Sequence, residues 1–192
     1  MRFTRPRVIK TVLLLLLAGH WLSSAIAQEF VWAPDFPVGA QIPAISAPDQ
    51  NGTMRSFDDL KGENGLVLVL SRSFDWCPYC TAQLIQLTEI QDTFAGMGLG
   101  VATLTYDPVD LLKEVEEDQG IEFALLHDEN IQHINAFGLR NTDYEPGDRG
   151  YGIPYPGIFL IDTTGIIRHK FAEESYRVRP DFADVLEAAA GM

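Results

Sequence analysis

Two thiols lie two residues apart in Cys77-Pro78-Tyr79-Cys80, and they are the only cysteines in 192 residues. The apolar run Leu66-Val67-Leu68-Val69-Leu70 before them reads as a buried strand. The segment from Thr81 to Phe94 after them reads as a helix. A C-x-x-C at a strand-to-helix junction is a redox signature, because exposed N–H groups at a helix start favour a thiolate. Cys77 is the expected nucleophile. Attack by Cys77 on a disulfide gives a mixed disulfide, which Cys80, one turn further in, resolves. A static disulfide closing so short a loop would add little stability, and two cysteines cannot make a Cys₄ zinc site. Pro78 and Tyr79 tune the couple from between the sulfurs. Trp76 shields Cys77 and offers a flat contact surface, or simply packs. Arg72 and Asp75 flank the pair, either tuning its field or solvated in a loop.

A second element is expected at Tyr155-Pro156, directly before the apolar run Gly157 to Ile161. A proline there suits a cis bond that holds an extended substrate beside the sulfurs. Pro154 is the alternative for this role, and a plain trans loop is the bland one. Tyr144, Tyr151 and Tyr155 either line a groove or pack their loop. His127, His133 and His169 show no metal-ligand spacing. The acidic run from Asp107 to Asp118 reads as the solvated face of a helix.

The elements that must position these residues follow from periodicity. Glu29 to Pro43 reads as an irregular lead-in, and Asn51-Gly52 turns a small hairpin. Leu66 to Ser71 is a strand whose continuous apolar run fits burial on both faces. The helix from Cys77 or Pro78 has proline at its first position, with a stripe of Cys80, Leu84, Leu87, Ile90 and Phe94. Strands follow at Leu99 to Tyr106 and Phe123 to Leu126, and helices at Pro108 to Gln119 and Asn130 to Phe137. Gly138 stops the latter. A long loop from Leu139 to Pro156 exceeds ordinary connections and is a candidate rim. Gly157 to Ile161 and Ile166 to Phe171 pair antiparallel, and Pro180 to Ala190 closes the chain. This order is an α/β sandwich around one mixed sheet.

Residues 1–27 stand apart. Arg2, Arg5, Arg7 and Lys10 precede the apolar run Val12 to Ala18, and Ala25-Ile26-Ala27 fits a cleavage site before Gln28. The expectation is a signal peptide over 1–27, a single domain over 28–192, and export to a bacterial periplasm, where disulfides persist. Uncleaved, the segment would be the only membrane contact. The net charge is −13; residues 1–27 hold four basic and no acidic residues, leaving −17 on the remainder. That charge repels nucleic acid and anionic lipid surfaces.

Trp76-Cys77-Pro78-Tyr79-Cys80 resembles the thioredoxin superfamily. Together with Asn51-Gly52, Phe57-Asp58-Asp59-Leu60 and Pro156-Gly157-Ile158-Phe159-Leu160-Ile161-Asp162, it resembles the redoxin branch, the AhpC/TSA or peroxiredoxin-like group. The resemblance covers residues 38–190. It implies a thioredoxin-like three-layer sandwich with a central mixed sheet flanked by helices, a redox-active Cys77–Cys80 pair and a cis Pro156. Two departures stand out. Peroxiredoxins usually carry Pro-x-x-x-Thr-x-x-Cys; counted from Cys77 those places hold Leu70 and Phe74. Thioredoxins usually carry a buried Asp six residues before the first cysteine, and here that place is Ser71.

The leading expectation is an exported thiol–disulfide oxidoreductase acting on disulfides or thiols, with a redox partner protein and no added cofactor. The alternative is a peroxiredoxin-like thiol peroxidase that reduces peroxide. A third reading is a non-catalytic redoxin that binds a partner, or holds copper through the two thiols and a histidine.

Overall fold

The computed structural model describes Met1 and residues 30–192. Apart from Met1, the segment read as a signal peptide lies outside the described residues. The expected hairpin forms from β1 (Ser46–Pro48) and β2 (Met54–Ser56), with a short helix α1 (Phe57–Leu60) after it. The main sheet contains β3 (Gly65–Leu70), β4 (Leu99–Thr105), β5 (Ala124–His127), β6 (Gly157–Ile161) and β7 (Ile167–Phe171). Its order is β5-β4-β3-β6-β7. β3, β4 and β5 run parallel, while β6 and β7 are antiparallel to their neighbours. The sheet is therefore mixed, as expected.

β3 lies at the centre, and its side chains divide between two cores by the two-residue period of a strand. Leu66, Leu68 and Leu70 face one core with Trp32, Ile134, Phe137 and Phe159. Val67 and Val69 face the other with Cys77, Cys80, Leu84 and Leu87. The sheet is covered on both sides, giving the three-layer α/β sandwich. The helices are α2 (Pro78–Glu89), α3 (Gln91–Gly96), α4 (Val109–Gln119), α5 (Gln132–Ala136) and α6 (Phe182–Ala189). Among the described residues no helix is long and apolar enough to cross a membrane.

Three local expectations change. The helix after the cysteines is broken at Ile90, whose ψ of 5° leaves the helical range, so Phe94 belongs to α3. Asn130 and Ile131 adopt left-handed backbone, so the expected helix there is a 3₁₀ turn followed by five helical residues. Among the described residues no peptide bond is cis, so Tyr155–Pro156 is trans. The reason lies in how Tyr155 is tied. Its N–H donates to Leu139 O at 2.8 Å, and its carbonyl accepts from Trp32 Nε1 at 2.9 Å. Pro154 bridges Arg140, so the backbone runs extended into β6.

The lead-in belongs to the core. The Trp32 ring packs tilted against Phe159 with centroids 4.4 Å apart, and Lys170 Nζ donates to the carbonyls of Trp32 and Ala33.

Candidate active site

Cys77 caps α2 from an extended conformation, with φ −102° and ψ 98°, and Pro78 occupies the first helical position with its φ preset. The N–H groups of Cys80 and Thr81 donate to Cys77 O at 3.0 and 3.1 Å, so Cys80 lies inside the first turn. Both cysteines are free thiols. Both are also buried, Cys77 to 2% exposure and Cys80 to 0%. The sequence places Cys77 nearer the mouth, but the structure covers both sulfurs.

The preceding loop, residues 71–76, is held by one buried carboxylate. Asp107 accepts from Ser73 Oγ at 2.7 Å and from the Phe74 N–H at 2.6 Å. Sequence reasoning assigns Asp107 to a solvated acidic face. Instead it lies in the turn between β4 and α4, only 3% exposed, and burial raises its pKa against these hydrogen bonds. The backbone N–H groups of Ser73 and Arg72, in the loop this anchor holds, favour the charged form of Cys80. Arg179, in the connection between β7 and α6, adds its guanidinium. Its Nη2 lies 3.3 Å from Cys80 Sγ and 4.0 Å from Cys77 Sγ.

These contacts divide the two thiols electrostatically. A hydrogen bond from the Cys77 thiol is the main influence that lowers the Cys80 pKa, to about 6. Burial opposes it, and the Ser73 N–H, the Arg179 charge and the Arg72 N–H assist. The same shared hydrogen bond, then burial, pushes the Cys77 thiol up. The shared hydrogen bond thus favours the proton on Cys77 and the negative charge on Cys80.

A cover of aromatic and cationic groups lies over the pair. The Arg72 guanidinium sits 4.0 Å from the Tyr176 ring and 5.0 Å from the Trp76 ring, and its Nη2 donates to Tyr144 Oη at 3.2 Å. Trp76 Nε1 donates to Tyr106 Oη at 2.7 Å, and Arg149 lies 5.7 Å from the Trp76 ring. Tyr79 meets Tyr176 edge-on with centroids 6.0 Å apart. The long loop thus contributes Tyr144 and Arg149 to the rim.

Cys77, Cys80, Trp76, Pro78 and Tyr79 come together as the spacing implies. Tyr155 does not join them: it packs against the Trp32 core in the opposite layer, and its hydroxyl meets Thr142 Oγ1 at 3.2 Å. Pro156 is buried beside it, leading into β6. Sequence reasoning misses Arg179, Ser73, Tyr106 and Tyr176, which reach the site only through the fold. His133 is engaged with Asp128 at 2.7 Å, and His169 lies against Phe171. Among the described residues no three His, Cys, Asp or Glu side chains gather to hold a metal, so the copper reading finds no third ligand.

The model of the AhpC/TSA family matches residues 38–170. Peroxiredoxin Bcp of Escherichia coli (strain K12) is 31% identical over 134 residues, covering 67% of this chain and 81% of that protein. Among solved structures, Peroxidoxin BcpB from Mycobacterium tuberculosis superposes with a TM-score of 0.68 at 23% identity, covering 81% of this chain and 97% of the other. A thiol peroxidase from Chromobacterium violaceum gives 0.68 at 19%, covering 80% and 86%. The five-stranded mixed sheet, the thiols at the start of α2 and the family match over residues 38–170 agree: the chain belongs to the AhpC/TSA family and is an oxidoreductase acting on sulfur groups.

Proposed function

We propose that this chain is a thiol peroxidase in which Cys80 is the attacking thiolate and Cys77 the proton donor and resolving thiol. The observation that carries this reading is the Arg179 guanidinium, whose Nη2 lies 3.3 Å from the fully buried Cys80 sulfur and only 4.0 Å from that of Cys77. The family signature bears on it by position alone, since neither its Pro nor its Thr is present in either register. Counted from Cys80 instead of Cys77, Pro-x-x-x-Thr-x-x-Cys falls on Ser73 and Cys77. Cys77 then supplies the hydrogen-bond donor where the signature has a hydroxyl. This assignment reverses the roles expected from a C-x-x-C pair alone.

The reaction follows from these positions. The Cys80 thiolate attacks the outer oxygen of a hydroperoxide, the O–O bond breaks, and Cys80 becomes a sulfenic acid. The departing alkoxide takes the Cys77 proton and leaves as an alcohol. The Cys77 thiolate then displaces hydroxide from the Cys80 sulfur, which closes the disulfide. The peroxide gains the two electrons that the dithiol loses. A thiol reductant must return them, so thiol–disulfide exchange is the second half of the cycle.

The leader over residues 1–27 supports an exported protein, since its basic start, apolar run and Ala25-Ile26-Ala27 fit a secretory signal. Amino-terminal sequencing of the exported fraction should begin at Gln28.

Mixing the reduced protein with hydrogen peroxide while following Trp76 fluorescence tests the main reading. Fast, saturating oxidation that Cys80→Ser abolishes is expected. Peroxide oxidation no faster than that of a free thiol, alongside rapid oxidation by a model disulfide, would make this an exchange enzyme instead.

A further inference from the structure

Arg72 is a buried cation without an anion. It lies just past β3, in the loop that the Asp107 carboxylate pins through Ser73 and Phe74. It is 4% exposed, and no carboxylate meets it among the described residues. Its Nε is buried with no hydrogen-bond partner, and its Nη2 donates to a neutral phenol, Tyr144 Oη, at 3.2 Å. The Tyr176 ring at 4.0 Å and the Trp76 ring at 5.0 Å hold the guanidinium by stacking. Such contacts offset only part of the hydration that a buried charge gives up. The loop before α2, the long loop and the connection between β7 and α6 thus converge to fix one charge in place. An anion is missing from this arrangement.

The redox pair itself makes one. Cys77 directly follows Trp76, and few charged or titratable groups face it. Cys80 lies one turn on in α2, Arg179 Nη2 reaches to 4.0 Å from the β7–α6 connection, and Arg72 acts from the loop. Asp107 is engaged by Ser73 and Phe74, and Asp75 meets Arg149 in solvent. In the reduced protein the hydrogen bond shared with Cys80, then burial and the Cys80 charge, push the Cys77 thiol up. The Cys80 N–H and the Arg72 charge pull it down. Conversion of Cys80 to a sulfenic acid discharges that sulfur, so the shared hydrogen bond to a thiolate and the Cys80 charge both vanish. Burial is left to oppose a Cys77 thiolate, and a fixed cation is what offsets burial.

We propose that Arg72 is the positioning residue of the resolving step, the standing counter-charge of the Cys77 thiolate as Arg179 is that of the Cys80 thiolate. The proposal rests on the peroxidase cycle above for its place in the order of steps, but the pairing of Arg72 with ionised Cys77 is testable apart from that cycle. In the step itself the Cys77 thiolate attacks the Cys80 sulfur. The S–S bond forms, the Cys80 S–O bond breaks, and hydroxide leaves to take up a proton as water. The Cys77 sulfur is oxidised as the Cys80 sulfur is reduced, and no other oxidant or reductant enters. Held charge on Cys77 closes the disulfide before a second peroxide reaches the sulfenic acid.

The test has two arms. In Cys80→Ala protein, where Cys77 is the one remaining thiol, the pH dependence of iodoacetamide alkylation reads Cys77 ionisation without the Cys80 charge. Adding Arg72→Met, which fills the space between the two rings without charge, should raise the midpoint by about one unit. Arg72→Lys restores the charge and should bring the midpoint most of the way back, a distinction that a merely structural role would not make. With Cys80 intact, Arg72→Met should lower the ratio of the disulfide-closing rate to the sulfenic-acid-forming rate about tenfold. Mass spectrometry should then find a longer-lived dimedone-reactive sulfenic acid, and more sulfinic acid in excess peroxide. Should Arg72→Met not fold, Tyr176→Leu at a position 37% exposed unseats the guanidinium and should raise the same midpoint. Equal midpoints with arginine and methionine, or equal rises with lysine and methionine, overturn the proposal, as does an unmoved midpoint in Tyr176→Leu. A raised midpoint in a protein that peroxide does not oxidise upholds Arg72 and removes the peroxidase reading. Fast, Cys80-dependent oxidation with an unmoved midpoint does the reverse.

Discussion

Replacing Arg179 with Gln removes the one full positive charge within hydrogen-bond reach of Cys80 and leaves a side chain of similar length. Its Nη2 lies 3.3 Å from Cys80 Sγ and 4.0 Å from Cys77 Sγ. At an effective dielectric of about 20, those separations correspond to roughly 5 and 4 kcal/mol of Coulomb attraction. Much of this cancels against the hydration that the guanidinium gives up, and a hydrogen bond to a charged group nets about 1.5–3 kcal/mol. The Cys77 hydrogen bond and the Ser73 N–H both outrank Arg179 in holding the Cys80 pKa down. The lower end of the range therefore applies, and the midpoint should rise by about one unit, from about 6. At pH 6.5 that change cuts the thiolate fraction about threefold, and by pH 8.5 the two proteins converge. Thiolate absorbance and the pH dependence of iodoacetamide alkylation read the midpoint, and peptide mapping identifies which cysteine is alkylated first. A midpoint displaced by less than about 0.3 unit, or first alkylation at Cys77, would refute the electrostatic division of the pair.

Three further perturbations test the rest of the site and its frame. Cys77→Ser keeps a hydrogen-bond donor beside Cys80 but cannot form a disulfide. It should consume one equivalent of peroxide, accumulate a dimedone-reactive sulfenic acid and lose turnover, as followed by mass spectrometry. Asp107→Asn should flatten the acid limb of the stability curve. Burial raises the Asp107 pKa, so the stability of the wild type is greatest below the ordinary carboxylate value and is lost as pH rises through the raised one. Urea midpoints across that window should fall for the wild type and stay level for the variant. Gly157→Ala drives a methyl group into the Trp32 ring, which must leave Phe159 or push β6 aside. Overpacking of this kind costs about 1–3 kcal/mol, read as a lowered urea midpoint.

The parts of this molecule that show in the sequence are those set by local pattern. The apolar run of β3 reveals its two-sided burial, because every residue from Gly65 to Leu70 is covered. Pro78 after Cys77 reveals the start of α2, because only the first turn tolerates it. The parts that do not show are set by chain crossings. Arg179 lies 99 residues from Cys80, in a connection with no periodicity of its own, and only the path from β7 to α6 brings it over the thiols. Asp107 looks like the first of an acidic run. It differs from the rest only in preceding Pro108, which keeps it in the turn after β4 instead of on the helix surface. Tyr155 misleads for the opposite reason. Its place before β6 suits a substrate contact, but Trp32, 123 residues earlier, binds its carbonyl and turns it to the other layer. The break at Ile90 and the left-handed turn at Asn130 and Ile131 carry no glycine or proline to announce them.

The distribution of charge explains why a chain this acidic can hold a thiolate at all. Residues 28–192 carry −17 and contain only ten Lys or Arg residues. A field of that sign opposes any new anion and would raise a thiol pKa if it acted evenly. It does not act evenly, because Arg179 reaches both sulfurs, Arg72 and Arg149 lie against the neighbouring Trp76 ring, and Arg177 lies two residues before Arg179. Of these, only Arg149 meets a carboxylate among the described residues, at 3.6 Å from Asp75, where both groups are exposed. The other three meet no carboxylate, and Arg179 directs its charge at the Cys80 thiolate and the departing oxygen. Arg72 is 4% exposed and has no counter-ion among the described residues, an arrangement unfavourable for folding. Its place beside the thiols is the mark of a site whose anionic partner arrives with the reaction. Exposed charge is screened by salt, and buried charge far less so. Added salt should therefore change Cys80 ionisation, which Arg179 governs from 3.3 Å, less than it changes the attraction that the exposed Arg177 exerts on an anion in solvent.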